Sequence, residues 1–228
     1  MNFAYKISLL VCLTFTLPYC LTFEEIKAKL AQNPKLDTLE SKVEIKITGT
    51  GISSISSSHI FTKGPDKLWM ETVLPGGKTQ KTIKNGNRLL ITNPMTGEEQ
   101  VMPIGAMEVQ NPLDMVNAAF GDGQLAELMK KPGVPQYVLK FSYGGNSQFK
   151  TQVFTYDETI NQIIQVESTL GNGESSKTTI EYCANCEIKL PKQLVVFATV
   201  KGEEVKTEIN FTLNRVPKNI SDNLFKIN

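Results

Sequence analysis

The chain has 228 residues, of which 40% are hydrophobic and 21% charged, so it is long and apolar enough to fold around a core. This composition excludes a disordered chain and a fibrous one. The 24 lysines and arginines balance 23 aspartates and glutamates, and a formal net charge of +1 gives no strong field to attract nucleic acid or an anionic membrane. We therefore expect no nucleic-acid partner and favour recognition by shape or apolar contact.

The first twenty residues have the pattern of an export signal. Lys6 precedes an apolar run over residues 7–17, and Pro18 ends the run. Such a run matches the hydrophobic region of a signal peptide and is shorter than the roughly 20 residues that cross a bilayer. The pattern predicts export.

Export sets the expected domain boundaries. We expect residues 1–20 to be a signal peptide cleaved near Cys20, and residues 21–228 to form a single exported domain. The segment that ends at Cys20 also resembles a lipoprotein cleavage site, in which Cys20 would be acylated and would anchor the protein to a membrane. Both alternatives stay open at this point.

Two further cysteines, Cys183 and Cys186, are three positions apart. In an oxidising compartment such a pair predicts a disulfide. A zinc site would need two more ligands, and His59 is the one histidine, so no metal site is expected. A thioredoxin-type site would open a helix after a strand, whereas both flanks of this pair have strand patterns. The pair is therefore interpreted as structural.

The chain order begins with one helix and then changes to strands. Apolar positions at helical spacing and acids in the first turn predict a helix over Phe23–Ala31. From Leu39 the period becomes two, which places Val43, Ile45 and Ile47 on one face of a strand. Asn85-Gly86 is a strong hairpin signal that joins two later strands.

Further strands continue to the C-terminus and give an antiparallel meander of about eleven strands. The predicted strands after the first are Ile55–Lys63, Lys67–Leu74, Lys78–Lys84, Arg88–Thr92, Glu99–Met102, Tyr137–Tyr143, Gln148–Tyr156, Ile160–Thr169, Lys177–Tyr182, Lys189–Val200 and Glu204–Leu213. A sheet of that size curls, and this one predicts a mainly β (α+β) fold, a curved antiparallel half-barrel.

The strand pattern is interrupted over Asn111–Gly133. Asn111 can cap a helix, Pro112 suits its first turn, and apolar residues recur at helical spacing. Those residues are Leu113, Val116, Phe120, Leu125, Leu128 and Met129. We expect two helices here that form a lid over the sheet, with an apolar pocket beneath them.

Two segments, Phe61–Met70 and Lys84–Pro94, resemble successive strand motifs of the LolA/LolB-like outer-membrane lipoprotein carriers. Asn223-Leu224-Phe225 near the C-terminus resembles the family's closing segment, and the order of elements agrees over nearly the whole mature chain. The resemblance implies a periplasmic carrier whose half-barrel and lid hold lipoprotein acyl chains on the way to the outer membrane. It also implies an inner-membrane donor complex and an outer-membrane acceptor as partners. Gly64 departs from the family, which often has an arginine before this proline, so the lid-fastening role of that arginine is not carried over.

The expected lipid-binding residues are apolar side chains of the predicted sheet and lid. They include methionines, whose flexible side chains accept variable apolar shapes. The residues are Val43, Ile45, Ile47, Trp69, Leu89, Ile91, Met107, Leu113, Met115, Val116, Phe120, Leu139 and Phe141.

Two other functions are weighed against the carrier. An enzyme is disfavoured, and no cofactor is expected, because the sequence has one histidine, no Gly-x-Ser-x-Gly motif and no P-loop. The alternative is an envelope sensor or lipid-binding regulator that uses the same fold to bind a protein partner.

Overall fold

One sheet dominates the computed structural model, which describes residues 20–33, 36–103, 120, 123–145, 147–184, 186, 188–200 and 202–227. Within these residues one α-helix is followed by thirteen strands and a short 3-10 helix. The elements are α1 Phe23–Ala31, β1 Thr38–Gly49, β2 Ile52–Lys63, β3 Lys67–Val73, β4 Thr79–Asn85, β5 Arg88–Thr92, β6 Glu99–Pro103, β7 Gln124–Lys130, β8 Gln136–Ser142, β9 Phe149–Asp157, β10 Gln162–Leu170, β11 Ser175–Tyr182, β12 Pro191–Val200, β13 Glu203–Arg215 and the 3-10 helix Asp222–Phe225.

The strands form a single open, curved, antiparallel sheet in the order β6-β5-β4-β3-β2-β1-β13-β12-β11-β10-β9-β8-β7. Consecutive strands pair with each other except β6 and β7, and β1 also pairs with β13. That pairing brings the first and last strands together in the middle, and β6 and β7 become the two edges. Among the described helices, none has the length and apolar character needed to cross a bilayer.

The predicted helix over Phe23–Ala31 is confirmed. A capping box begins it: Glu25 N donates to the Thr22 hydroxyl at 3.3 Å, and Thr22 N donates to the Glu25 carboxylate at 2.7 Å. These bonds satisfy backbone donors that a helix start otherwise leaves free. Ile26 and Leu30 form its buried stripe.

The predicted Asn85-Gly86 hairpin is also confirmed, since Asn85 pairs with Arg88 between β4 and β5. Gly86 has a φ of 59°, in the left-handed region that glycine adopts without a side-chain clash. Gly64, in the turn between β2 and β3, has a φ of 61°. The glycine at position 64 is thus a turn residue.

The two faces of the sheet have different chemistry. Directly paired residues of an antiparallel sheet project to the same face, and the next residue along projects to the other. On β1, Leu39, Val43, Ile45 and Ile47 share what we call the apolar face. The other face of β1 carries alternating acidic and basic residues, and we call it the charged face.

The main core lies at one end of the apolar face, where α1 packs on the sheet. Its aromatic rings contact one another edge to face, with Phe154 centred 5.0 Å from Phe120 and 5.6 Å from Phe141. The buried residues of this cluster are Leu21, Ile26, Leu30, Phe120, Tyr137, Leu139, Phe141, Phe154, Tyr156 and Ile163. Strands β8, β9 and β10 supply most of them, so this end of the sheet is filled.

A second buried region lies on the charged face, under the C-terminal segment. The 3-10 helix contacts β3 and β4 there, and its Phe225 is fully buried. Asn85 donates to the Phe225 carbonyl at 3.2 Å, and Lys63 and Lys67 reach the Asp222 carboxylate at 3.0 and 2.8 Å. The C-terminal segment therefore covers the charged face of β2–β5. It does not cover the apolar face of these strands.

The prediction of a helix over Leu125, Leu128 and Met129 is wrong, because Gln124–Lys130 is the edge strand β7. A bulge between Leu125 and Glu127 adds one residue to β7 where it pairs with β8. Leu125 and Leu128 consequently share a face although they are three positions apart, a spacing that imitates a helix. With β7 the described sheet has thirteen strands rather than about eleven, and the predicted first lid helix lies outside the described residues.

Glu40 is the most tightly paired carboxylate on the charged face. Its side chain is buried, Arg215 Nε donates to Oε2 at 2.7 Å, and His59 Nε2 lies 3.0 Å from Oε1. Burial alone would raise the pKa of Glu40, but the hydrogen bonds and charges of Arg215 and His59 outweigh it and hold that pKa below its usual value.

Replacing Glu40 with glutamine should therefore destabilise the fold in a pH-dependent way. Because the folded state lowers this pKa, the ion pair stabilises the protein above the unfolded-state pKa and loses its effect as pH falls through the folded-state value. We expect Glu40→Gln to lower the free energy of unfolding by about 1–3 kcal/mol at neutral pH. Urea titrations from neutral to acid pH should show that difference shrinking, with exposed Glu44→Gln on the same face as control. An equal loss at every pH would contradict the pairing.

Candidate functional site

Apolar side chains form two adjoining rows across the middle of the apolar face. In one row Ile45 of β1 pairs with Ile209 of β13, which pairs with Leu194 of β12, which pairs with Ile180 of β11. The next row contains Ile47, Thr207 and Val196. We call the six apolar residues the apolar patch: Ile45, Ile47, Ile180, Leu194, Val196 and Ile209.

All six residues of the apolar patch are partly exposed, unlike the core at the α1 end. The core cluster reaches only as far as Val166 of β10 and includes none of the six. No charged residue lies within the two rows. The patch is therefore a continuous apolar surface that the described core does not use, a feature typical of a binding surface.

Five of the predicted lipid-binding residues lie on the apolar face outside the core cluster: Val43, Ile45, Ile47, Leu89 and Ile91. Ile45 and Ile47 belong to the apolar patch. Leu89 and Ile91 lie on β5, where they pair with Lys84 and Thr82 of β4. These positions extend the apolar face toward the β6 edge.

Trp69, which was also predicted to bind lipid, does not lie on the apolar face. It pairs with Phe61 of β2 and Ile83 of β4, and Phe61 pairs with Glu40 of β1, which places all of these residues on the charged face. The His59 and Phe61 rings are centred 5.9 and 5.6 Å from Trp69 on that face. The grouping of Trp69 with Val43 in one cavity is therefore corrected.

Three further predicted residues, Phe120, Leu139 and Phe141, are packed inside the core cluster. Each packs against other members of that cluster, so the fold itself accounts for their burial. We do not include them in the candidate site. The other predicted residues, Met107, Leu113, Met115 and Val116, lie outside the described residues.

Sequence reasoning did not assign Ile180, Leu194, Val196 or Ile209 to the site. A signal was present in β13, where Ile209 and Phe211 alternate with polar residues. In β12 the run Leu194 to Phe197 is apolar at every position, so a period of two cannot choose the face. The pairing of β12 with β13 places Leu194 and Val196 on the apolar face and Val195 and Phe197 on the charged face.

A shallow cleft of about 300 Å³ lies elsewhere, over β10–β13. Eight of its ten lining residues carry hydroxyl or charged groups, including Ser175, Thr199 and the ion-paired Glu167 and Lys177. Such a lining would leave an acyl chain beside polar groups that need water. The cleft is therefore no substitute for the apolar patch.

Cys183 and Cys186 form a disulfide in the connection between β11 and β12. The cysteines are three positions apart, so the closed loop is very short and its chain entropy stabilises the fold by at most about 2 kcal/mol. We expect the double variant Cys183→Ser, Cys186→Ser to lose no more than this in chemical denaturation and to bind fatty acid as before. Rapid reduction of insulin by the wild-type pair would contradict a structural role.

Solved structures of other proteins share this architecture. A LolA superfamily protein from Nitrosomonas europaea matches with a TM-score of 0.62 at 12% sequence identity, over 91% of this chain and 99% of that one. A domain named for outer membrane lipoprotein sorting, from Vibrio parahaemolyticus, gives 0.59 at 12% identity, over 88% and 94% of the two chains. A DUF1329 family protein from Desulfovibrio piger gives 0.58 at 13%, over 88% and 94%.

Those identities are too low to transfer a site or an activity, so the likeness is one of fold. No protein-family model and no curated protein sequence matches the chain. The open antiparallel sheet and these structural matches together show that the chain has a LolA-like fold.

Proposed function

We propose that the protein is a carrier that holds an acyl chain of a lipid or lipoprotein on its apolar face and passes it between membranes of the cell envelope. The observation that carries the proposal is the apolar patch, a partly exposed apolar surface in the middle of a LolA-like sheet. An acyl chain laid along it would remove both surfaces from water, which is favourable at about 25 cal/mol per Å² of apolar area buried.

The energetics suit transfer rather than permanent storage. A sixteen-carbon chain gains on the order of 12 kcal/mol when it leaves water, at about 0.8 kcal/mol per methylene. A membrane buries the same chain equally well, so the difference between carrier and bilayer is small. Cargo can therefore move in either direction without chemistry, and differences in packing or headgroup contacts set the direction.

A transfer assay between vesicles tests the carrier function. Donor vesicles contain a fluorescent lipid and a quencher, acceptor vesicles contain neither, and dequenching reports transfer. We expect the rate to rise in proportion to protein concentration. Saturable lipid binding without any acceleration would contradict a carrier and favour the lipid-binding regulator.

We also propose that the export signal is cut upstream of Leu21, at least one residue before the expected boundary between residues 20 and 21. Leu21 is buried in the core cluster, and its N–H donates to the buried Tyr137 hydroxyl at 3.1 Å. A cut directly after Cys20 would make this nitrogen a charged terminus in a buried position, which is costly. Cys20 itself is exposed and available for modification.

Intact-mass measurement on the exported protein checks this proposal. The first residue should be Cys20 or a residue just before it. An added diacylglycerol on Cys20 would identify a membrane-anchored form. A first residue at Leu21 or later would contradict the proposal.

A further inference from the structure

We propose that the lipid bound on the apolar face carries a carboxylate headgroup and that Lys84 binds it. The inference rests on the proposed function, because it names the class of amphiphile that the same face accepts. It starts from the distribution of charge over β1–β6, all of whose residues the structure describes. In these six strands Lys84 is the one charged residue on the apolar face.

Lys84 is in an apolar setting. It pairs with Leu68 of β3 and Leu89 of β5, so both of its lateral neighbours on the face are leucines. Only 6% of its surface is exposed. Burying an ammonium group is costly unless an opposite charge and hydrogen bonds compensate.

The described protein supplies little of that compensation. Lys84 Nζ donates to the Pro65 carbonyl at 3.3 Å, and no carboxylate of the described residues lies within ion-pair distance. Lys63 and Lys67, on the opposite face, both pair with Asp222. An ammonium group has three donors, so two remain for a ligand.

A carboxylate fits these two donors best. It carries one negative charge and two acceptor oxygens, and a charge-assisted bond to each is about twice as strong as a neutral one. A bulkier phosphate headgroup would need further polar partners, which Leu68 and Leu89 cannot supply. The ligand assigned to this site is therefore a single-chain fatty carboxylate.

The tail has an apolar path away from Lys84. Leu68 and Met70 of β3 and Ile60 of β2 share the apolar face, are partly exposed, and lie between Lys84 and the apolar patch. A ligand with its carboxylate at Lys84 would lay its chain across these residues. The geometry thus assigns one end of the site to the headgroup and the other to the chain.

The test compares a fluorescent polyene fatty acid with its methyl ester, which has the same chain and no charge, at about pH 8 where the acid is ionised. Wild-type protein should bind the acid at least about 10-fold more tightly. Lys84→Met keeps the bulk of the side chain and should remove this preference while the ester binds as before. Lys84→Arg should retain it. Lys81→Met, on the charged face of the same strand, serves as the matched control.

The outcomes separate this inference from the proposed function. If wild-type protein binds acid and ester equally, or if Lys84→Met keeps the preference, the headgroup assignment is overturned while acyl binding stands. Stronger competition by a lysophospholipid than by a fatty acid of equal length would also overturn it. If neither probe binds, the proposed function itself fails. If Lys84→Met does not fold, the headgroup assignment is tested by the ratio of acid affinity to ester affinity in the wild-type and Lys84→Arg proteins.

Discussion

Replacing Ile209 with glutamate is expected to weaken binding of a fluorescent fatty acid by at least about 100-fold, which corresponds to about 2.7 kcal/mol. Ile209 lies in the central strand β13, in the middle of the apolar patch. A carboxylate there would have to leave water whenever an acyl chain covers the patch, at a cost of several kcal/mol. It would also repel a fatty carboxylate.

The matched control is Ile55→Glu, because Ile55 lies on the charged face of β2 and is 54% exposed. This change introduces the same charge without touching the patch and should leave affinity within about twofold. Val196→Glu, in the neighbouring row, gives a second variant if Ile209→Glu is unstable. Fluorescence titration of all three, after thermal melts establish that each is folded, measures the effect. Equal affinity for Ile209→Glu and wild type would remove the patch from the site.

A large loss of stability is expected at Phe154, in the core under α1. Its ring is fully buried in the core cluster and contacts Phe120 and Phe141. Phe154→Ala should lower the free energy of unfolding by about 3–5 kcal/mol, because it removes buried apolar area and leaves a cavity. Phe120→Glu should be at least as damaging, since it buries an unpaired charge in the same cluster.

Phe197→Ala is the control, because Phe197 lies on the charged face and is 50% exposed. Its loss should stay within about 0.5 kcal/mol, the usual range for surface substitutions. Urea denaturation of the three variants gives the comparison. If Phe120→Glu keeps wild-type stability and loses only lipid binding, Phe120 belongs to the site rather than to the core.

The sequence was sufficient wherever local chemistry decides the structure. Thr22 and Glu25 mark the start of α1, and Asn85-Gly86 selects a tight hairpin between any two strands that flank it. The alternation of Val43, Ile45 and Ile47 with charged residues identified the apolar side of β1. Each of these signals is contained in a few neighbouring residues.

The predictions that were wrong concern features that the pairing between strands determines. The bulge in β7 gives Leu125 and Leu128 a helical spacing, and only the register with β8 identifies a strand. The face of Trp69 depends on its pairing with Phe61, a long-range fact that no local pattern contains. A one-residue shift in register would move Trp69 to the apolar face, so such assignments need the structure.

The sequence also did not predict which part of the apolar face the core fills and which part stays exposed. Leu139 of β8 and Ile45 of β1 look alike as apolar residues in alternating strands. They differ because α1 packs near β8–β10 and its cluster stops at Val166. The placement of that one helix separates residues that fill the core from residues that stay partly exposed.

Native mass spectrometry of the protein purified from the envelope of cells that export it, followed by lipid extraction, tests the central claim most directly. We predict a bound species that adds the mass of an acyl-chain lipid, that disappears on extraction, and that is present in Ile55→Glu but absent from Ile209→Glu. Protein that is free of lipid in every preparation, or lipid retained equally by both variants, would contradict an acyl-binding site on the apolar face.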